Sequence, residues 1–351
     1  MSTETPRTHI VGAGLIGASV GIGLTAEGWD VTISDNDEHA QTLARSIGAG
    51  SKLGSREPDL VIVAVPPSAA PSVVVASLKA WPEAVVTDVA SIKEPIAMAV
   101  EAAGLGSRYV GSHPMAGREI SGGLAAQGDL FKARPWVLCP NGATAEAIAL
   151  VTQVPNALQC DVVVMDAQQH DAAVARVSHA PQVAASAVAA ALGTLSEADV
   201  ALAGQGLRDV TRIAASEPGM WADIARMNRA SLVRTLDHII GDLEDVRDAD
   251  DIGNAMTDLI ERGRIEVGRI PGKHGGAKRD WVAVTVVVPD AAGQLLRLLT
   301  DVAQVGVNVE DITIEHSPRQ PVGLTTLYVL PNRAHELSVA LGEHGWEIAA
   351  S

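Results

Sequence analysis

The stretch Thr8-His9-Ile10-Val11-Gly12-Ala13-Gly14-Leu15-Ile16-Gly17 decides how the chain folds. Four residues of strand character run into glycines spaced G-x-G-x-x-G, and an apolar helical segment follows. Gly12 permits a tight turn, Gly14 lets the backbone approach a pyrophosphate, and Gly17 lets helix and strand pack closely. Leu15 and Ile16 open the helix, whose free N–H groups and dipole attract phosphate oxygens. Such a motif is weak when it stands alone. Here a strand precedes it, a helix follows it, and Asp35 ends the next strand at the distance of about 20 residues typical of a ribose-binding carboxylate. A carboxylate there accepts hydrogen bonds from both ribose hydroxyls and repels a 2′-phosphate, and Asn36 and Asp37 add no positive charge. NAD is therefore the expected cofactor, with Gly12, Gly14, Leu15, Ile16, Gly17 and Asp35 as its binding residues. The alternative for Asp35 is a turn cap.

Outward from this motif, short β-rich runs at residues 59–65, 84–89, 109–112 and 136–139 alternate with helical stretches at 71–80 and 95–103. That alternation predicts an α/β class with a mostly parallel sheet covered on both faces, a Rossmann-type N-terminal domain over residues 1–166. Residues 167–270 turn all-helical, with apolar positions at helical spacing in 220–225 and 232–243 and an Ala-rich stretch at 182–192. Pro181 either starts that Ala-rich helix or kinks it. The Gly- and Lys/Arg-dense segment 271–280 reads as a linker. Residues 281–351 return to strands in the order β-α-β-β-α-β, that of a small ferredoxin-like unit.

The bulk properties agree. The chain has 351 residues, enough for two or three domains, and 47% hydrophobic residues supply a sizeable core. A net charge of −16 argues against nucleic acid or an anionic membrane as partner. Two cysteines, Cys139 and Cys160, form neither a disulfide framework nor a zinc spacing, so no metal site is expected and a reducing cytoplasmic setting is. The N-terminus shows no secretory pattern, and the most apolar run, residues 180–193, is shorter than a membrane span.

The chemistry concentrates in Gly111-Ser112-His113-Pro114-Met115-Ala116-Gly117-Arg118-Glu119. Its proline and glycines imply a shaped loop that holds the His113 imidazole. An imidazole held beside a nucleotide-binding sheet can take a proton from a substrate hydroxyl while a cofactor accepts a hydride. Ser91, in Val86-Thr87-Asp88-Val89-Ala90-Ser91-Ile92-Lys93, ends a strand at the edge where such sheets bind ligands, and it can hydrogen-bond that base. A simple strand-end cap is the alternative for Ser91.

These two segments resemble the prephenate dehydrogenase family and its arogenate-using relatives. The resemblance extends to Ser178-His179-Ala180-Pro181-Gln182 and to residues 207–224, and it covers residues 8–245. It implies that His113 is the catalytic base, that Ser91 orients or bridges to it, that Arg212 holds the ring carboxylate, that His179 approaches the substrate from the helical domain, and that Glu119 lies near the substrate. The terminal unit resembles an ACT domain, a type that binds amino acids at dimer interfaces; its Asp290, Gly293 and Asn308 lie in the stretches matching the effector loop, and tyrosine is the implied effector. A homodimer is expected. The implied activity is NAD-dependent oxidative decarboxylation of prephenate to 4-hydroxyphenylpyruvate in tyrosine biosynthesis, with arogenate dehydrogenase, a non-catalytic amino-acid-responsive protein and a hydroxy-acid reductase as alternatives. Two departures stand out: Ala90 where the family often has glycine, and Gln182 where many relatives have a second histidine.

Blander roles compete for several residues. His179 can be helix-start packing, and Arg212 can pair with Asp209 or Glu217 on its own helix. His170 and Asp171 have the look of a metal or acid–base pair, but an interdomain contact is the favoured reading. Met220 and Trp221 are expected in the core.

Overall fold

The computed structural model describes residues 5–116, 122–270, 281–316 and 321–349. The chain divides into two compact units, Met1–Gly241 and Asp242–Ser351. The expected linker at 271–280 and the site candidate Glu119 lie outside the described residues.

The first unit begins with β1 (Thr8–Val11), α1 (Leu15–Ala26), β2 (Val31–Ser34), α2 (Glu38–Ser46), β3 (Leu60–Val63), α3 (Ala70–Ala80), β4 (Val85–Asp88), α4 (Glu94–Ala102), β5 (Tyr109–Pro114), β6 (Pro135–Cys139), α5 (Ala145–Ala157) and β7 (Asp161–Val164). The strands form one sheet in the order β2-β1-β3-β4-β5-β6-β7. All neighbours pair parallel except β5 and β6. Every residue of β3 is buried, as a central parallel strand with both faces covered requires. α2 is set by its ends: the Asp37 side chain accepts the His39 N–H, Glu38 sits in the first turn and Arg45 in the last.

The strand order reverses at β1, with β2 on one side and β3 on the other, so a crevice opens beyond their carboxyl ends. The glycine turn lies there. Gly12 has φ +112°, and a Cβ on it would meet the Ala64 carbonyl oxygen at 2.2 Å. A Cβ on Gly17 would sit 2.1 Å from the Gly12 carbonyl oxygen. The turn is thus clamped between β1 and β3 by backbone contacts that admit no side chain. Nothing lies within 4 Å of a Cβ position on Gly14, which faces open space.

Beyond β7 the unit is helical: α6 (Ala167–Val174), a π-helical turn (Ala175–His179), α7 (Ala180–Ala191), α8 (Glu197–Val200), α9 (Gln205–Thr211), α10 (Pro218–Met227) and α11 (Arg229–Asp248), which runs across the division. Pro181 lies in the first turn of α7, which follows the π turn without a break. The ring would clash with the carbonyl four residues back in a regular helix. The wider turn before it, closed by the Ala180 N–H donating to the Ala175 carbonyl, takes up that strain. Met220 departs from expectation: it is 48% exposed in the first turn of α10, while Ile224, one turn further along the same face, is buried.

The second unit holds α12 (Ile252–Val267), β8 (Val282–Pro289), α13 (Gln294–Val305), β9 (Asp311–His316), β10 (Val322–Val329), α14 (Pro331–Glu343) and β11 (Glu347–Ile348). Its four strands pair antiparallel in the order β11-β8-β10-β9. Burial alternates strictly along β10, so one face meets a core that includes Leu298, Val302, Leu337 and Leu341 while the other stays more open. Gly293 caps α13 with φ +86°, the Asp290 N–H donates to the Pro321 carbonyl, and the Asn308 amide donates to Glu310. Among the described residues no helix is long and apolar enough to cross a membrane.

Candidate active site

His113 lies inside β5, opposite Val137 of β6, and not on a loop. β4 pairs with β5 only as far as Gly111, whereas β6 continues the pairing to Pro114. The antiparallel partner therefore extends β5 past the end of β4 and holds the imidazole over the carboxyl edge of the sheet. β1 runs parallel with β3, β4 and β5, so the glycine turn after β1 opens at that same edge.

The His113 ring is half-buried, and its Nδ1 lies 2.9 Å from His170 Nε2. His170 Nδ1 in turn lies 2.7 Å from Asp171 Oδ1. The two carboxylate oxygens of Asp171 accept the backbone N–H groups of Lys93 and Glu94 at 2.8 and 2.9 Å, at the start of α4. His170 and Asp171 are each 1% exposed. They join α6 to both β5 and α4, and no group of residues suited to hold a metal occurs among the described residues. Sequence reasoning left this pair outside the site, although its adjacency to the second histidine motif was a usable signal.

Ser91 is half-buried in the loop between β4 and α4, at the same sheet edge. The Ser91–His113 hydrogen bond implied by the resemblance is not formed among the described residues; the ring contact present is that of His113 Nδ1 with His170 Nε2. Beneath the loop, the buried Lys93 ammonium pairs with Asp88, whose carboxylate also accepts the Tyr109 hydroxyl at 2.7 Å and the Ala90 N–H at 2.9 Å. This network ties the Ser91 loop to β5.

His179 closes the π turn and is 3% exposed. Its Nδ1 lies 3.2 Å from the Asn228 amide, which donates to the Asp171 carbonyl at 2.7 Å. The second histidine motif is thus connected to the His170–Asp171 pair. The His179 and Trp221 rings meet edge to face, and both line a cavity of about 480 Å³ together with Gln182, Ser216, Ile224 and Leu232. Trp221 is a cavity wall more than a core residue. Gln182 donates to the Ile213 carbonyl at 3.0 Å, which anchors the turn after α9. Arg212 opens that turn and is exposed, and the turn packs on α7. Glu217 caps α10 by accepting the Gly219 and Met220 N–H groups, and Asp209 accepts from Gln205.

Asp35 accepts the Ala13 N–H at 2.6 Å and the Asp37 N–H at 2.9 Å, which places its carboxylate against the glycine turn. The first turn of α1 has no side-chain cap. Open space over Gly14, uncapped N–H groups and a carboxylate beside the turn together fit a dinucleotide without a 2′-phosphate.

The electrostatics favour the neutral form of the His113 imidazole. Burial, then the neighbouring His170, Lys93 and His179, holds the His113 imidazole well below the usual histidine range. Burial lowers His179 to about 4. It lowers His9, which contacts Thr32 and Ser34, to about 4 as well. Burial pushes both thiols, Cys139 and Cys160, up to about 12, which removes them as nucleophiles near neutral pH. A stability prediction follows from His9 and His179. Their folded values lie below 6.5, so the unfolded chain binds more protons between pH 6.5 and about 4, and stability falls as pH drops through that window. The loss is on the order of 3 kcal/mol per histidine at its full extent. Urea melts at pH 7.5, 5.5 and 4.5 measure it, and a midpoint unchanged down to pH 4.5 contradicts it.

The fold and site define a nucleotide-binding α/β protein with a half-buried histidine, His113, at the ligand edge of its sheet. Residues 20–164 match the family description "Prephenate dehydrogenase, nucleotide-binding domain", and residues 166–260 match "Prephenate dehydrogenase, dimerization domain". A Streptomyces niveus protein named Probable prephenate dehydrogenase NovF is 32% identical, over 96% of this chain and 98% of its own. The Zymomonas mobilis cyclohexadienyl dehydrogenase is 32% identical, over 68% of this chain and 87% of its own. The solved prephenate dehydrogenase of Aquifex aeolicus, in complex with hydroxyphenyl propionate and NAD+, superposes with a TM-score of 0.65 at 26% identity, over 76% of this chain and 99% of its own. The chain belongs to the prephenate dehydrogenase family.

Proposed function

We propose that the protein catalyses the NAD-dependent oxidative decarboxylation of prephenate to 4-hydroxyphenylpyruvate. The observation that carries this reading is the position of His113. It stands at the same sheet edge as the glycine turn, with one ring nitrogen engaged by His170 and no hydrogen bond to the other among the described residues. NAD, when bound, supplies the hydride acceptor. The Gly12–Gly17 turn and the start of α1 would hold its pyrophosphate, and Asp35 its ribose. His113 takes the proton of the ring hydroxyl as the carbon bearing it gives up a hydride. The ring carboxylate leaves as carbon dioxide, its bonding pair completes the aromatic ring, and His113 returns the proton to the product oxygen. Arg212 is assigned to the ring carboxylate, which a guanidinium holds bidentately. Ser91 is assigned to orient or bridge to His113, His179 to approach the substrate, and Glu119, outside the described residues, to substrate binding. Purified protein is given NAD with prephenate or with arogenate, and reduced nicotinamide is followed by absorbance. Turnover with prephenate supports the assignment, turnover with arogenate alone transfers it to an arogenate dehydrogenase, and turnover with neither overturns it.

Asp35 predicts cofactor choice. The ratio of kcat/KM for NAD to that for NADP is expected to exceed about 10, since the 2′-phosphate brings at least one like charge against a carboxylate, and each tenfold is about 1.4 kcal/mol. Asp35→Ser is expected to shrink the ratio, and a native preference for NADP removes the assignment.

The domains are assigned as residues 1–166 for NAD, 167–270 for substrate and dimerisation, 271–280 as linker and 281–351 as a ferredoxin-like ACT unit. The β-α-β-β-α-β order and the β11-β8-β10-β9 sheet support the last. A homodimer is supported by Ile252, Met256 and Ile260, which are exposed along one face of α12. Tyrosine is assigned to Asp290, Gly293 and Asn308. It is expected to inhibit the full chain, and removal of residues 281–351 is expected to abolish that inhibition. Inhibition that survives the truncation as competition with substrate assigns tyrosine to the active site.

A further inference from the structure

We infer that His170 and Asp171 act as positioning residues that set the tautomer of His113; the inference rests on His113 being the base. Asp171 accepts on both oxygens from the first N–H groups of α4, so the carboxylate is held in one orientation against His170. A carboxylate only accepts, and it therefore places the His170 proton on Nδ1, 2.7 Å away. With the His170 proton on Nδ1 alone, its Nε2 lone pair points at His113 Nδ1 across 2.9 Å. That acceptor places the His113 proton on Nδ1 and leaves Nε2 bare. Nε2 is the nitrogen that His170 does not cover, and a bare Nε2 is what abstraction of a hydroxyl proton requires. The Asn228 amide, bonded to the Asp171 carbonyl, joins His179 to the same arrangement. The chain of contacts runs from the start of α4 through α6 to β5 and needs no movement of the sheet.

The test combines a spectroscopic signature with a rescue. In protein labelled with ¹⁵N-histidine, His113, assigned by its loss in His113→Asn, is expected to show a protonated Nδ1 and an unprotonated Nε2. His170→Phe removes the acceptor and is expected to mix the two tautomers. It is also expected to lower kcat between about 10- and 10⁴-fold, with the NAD dissociation constant unchanged. His170→Gln can present an amide oxygen to His113 Nδ1 and is expected to bring kcat back to within about tenfold of the native rate. A native His113 carrying its proton on Nε2, as a cationic His170 would impose, overturns the inference, and that measurement stands even if His170→Phe does not fold. An unchanged tautomer and rate in His170→Phe also overturns it. A native enzyme inactive on both prephenate and arogenate defeats the functional assignment instead, and leaves the tautomer measurement to be read separately.

Discussion

His113→Asn is expected to lower kcat by about 10²–10⁴-fold, the usual contribution of a positioned base. The amide is too short and too weakly basic to take a hydroxyl proton at the place of Nε2. The cofactor turn belongs to β1 and α1, whereas His113 is paired with β6, so the NAD dissociation constant is expected to stay within about twofold, the ~0.4 kcal/mol that separates independent sites. Pre-steady-state mixing separates chemistry from product release, and the defect belongs in the chemical step. A variant with native turnover assigns the proton to another group. The native pH profile gives a second check. The base works only when neutral, and burial holds its pKa well below 6.5, so kcat/KM loses its acidic limb below the ordinary histidine range. An acidic limb centred at or above 6.5 contradicts the assignment. Circular dichroism at each pH keeps the acid unfolding driven by His9 and His179 apart from this limb.

Lys93→Met is expected to destabilise the protein by about 3–5 kcal/mol, the cost of leaving a buried charge without its counter-ion. Lys93 and Asp88 are both fully buried. Asp88 keeps the Tyr109 hydroxyl and the Ala90 N–H, which soften the loss without neutralising the charge. Removing both charges, as Lys93→Met with Asp88→Leu, is expected to recover part of the stability, because an apolar pair of similar volume has no desolvation to offset. Urea denaturation of the three proteins measures both effects. A loss below about 1 kcal/mol for Lys93→Met shows that Asp88 is not a lone buried charge in that variant. The consequence reaches the site, because the backbone of Lys93 also holds Asp171.

Much of the fold was legible in local patterns. The G-x-G-x-x-G turn, the alternation of strands and helices through residue 166, the helical block and the terminal β-α-β-β-α-β order are each written in neighbouring residues. The bounds that mattered for chemistry were less so. His113 reads as a loop residue because proline and glycines surround it, and the antiparallel pairing with β6 that makes it a strand residue comes from a segment more than 20 positions away. Met220 reads as core from its helical spacing, but that spacing does not say how far along α10 the inward face stays covered: Ile224 is buried and Met220, one turn earlier, is not.

The site divides in the same way. His113, His179 and the glycine turn are recognisable as residue types inside compact motifs. The partner of His113 is not, since His170 lies 57 positions along the chain and the backbone that orients Asp171 lies 77 and 78 positions from it. The sequence by itself determined the cofactor turn and the order of elements and singled out the His113 imidazole as candidate, because each depends on motifs within one or two elements. Only the tertiary structure decided that His170 rather than Ser91 meets that imidazole, and that a buried Lys93–Asp88 pair underlies the site. Those contacts depend on where β5, α4 and α6 pack, and packing is a property of the assembled chain.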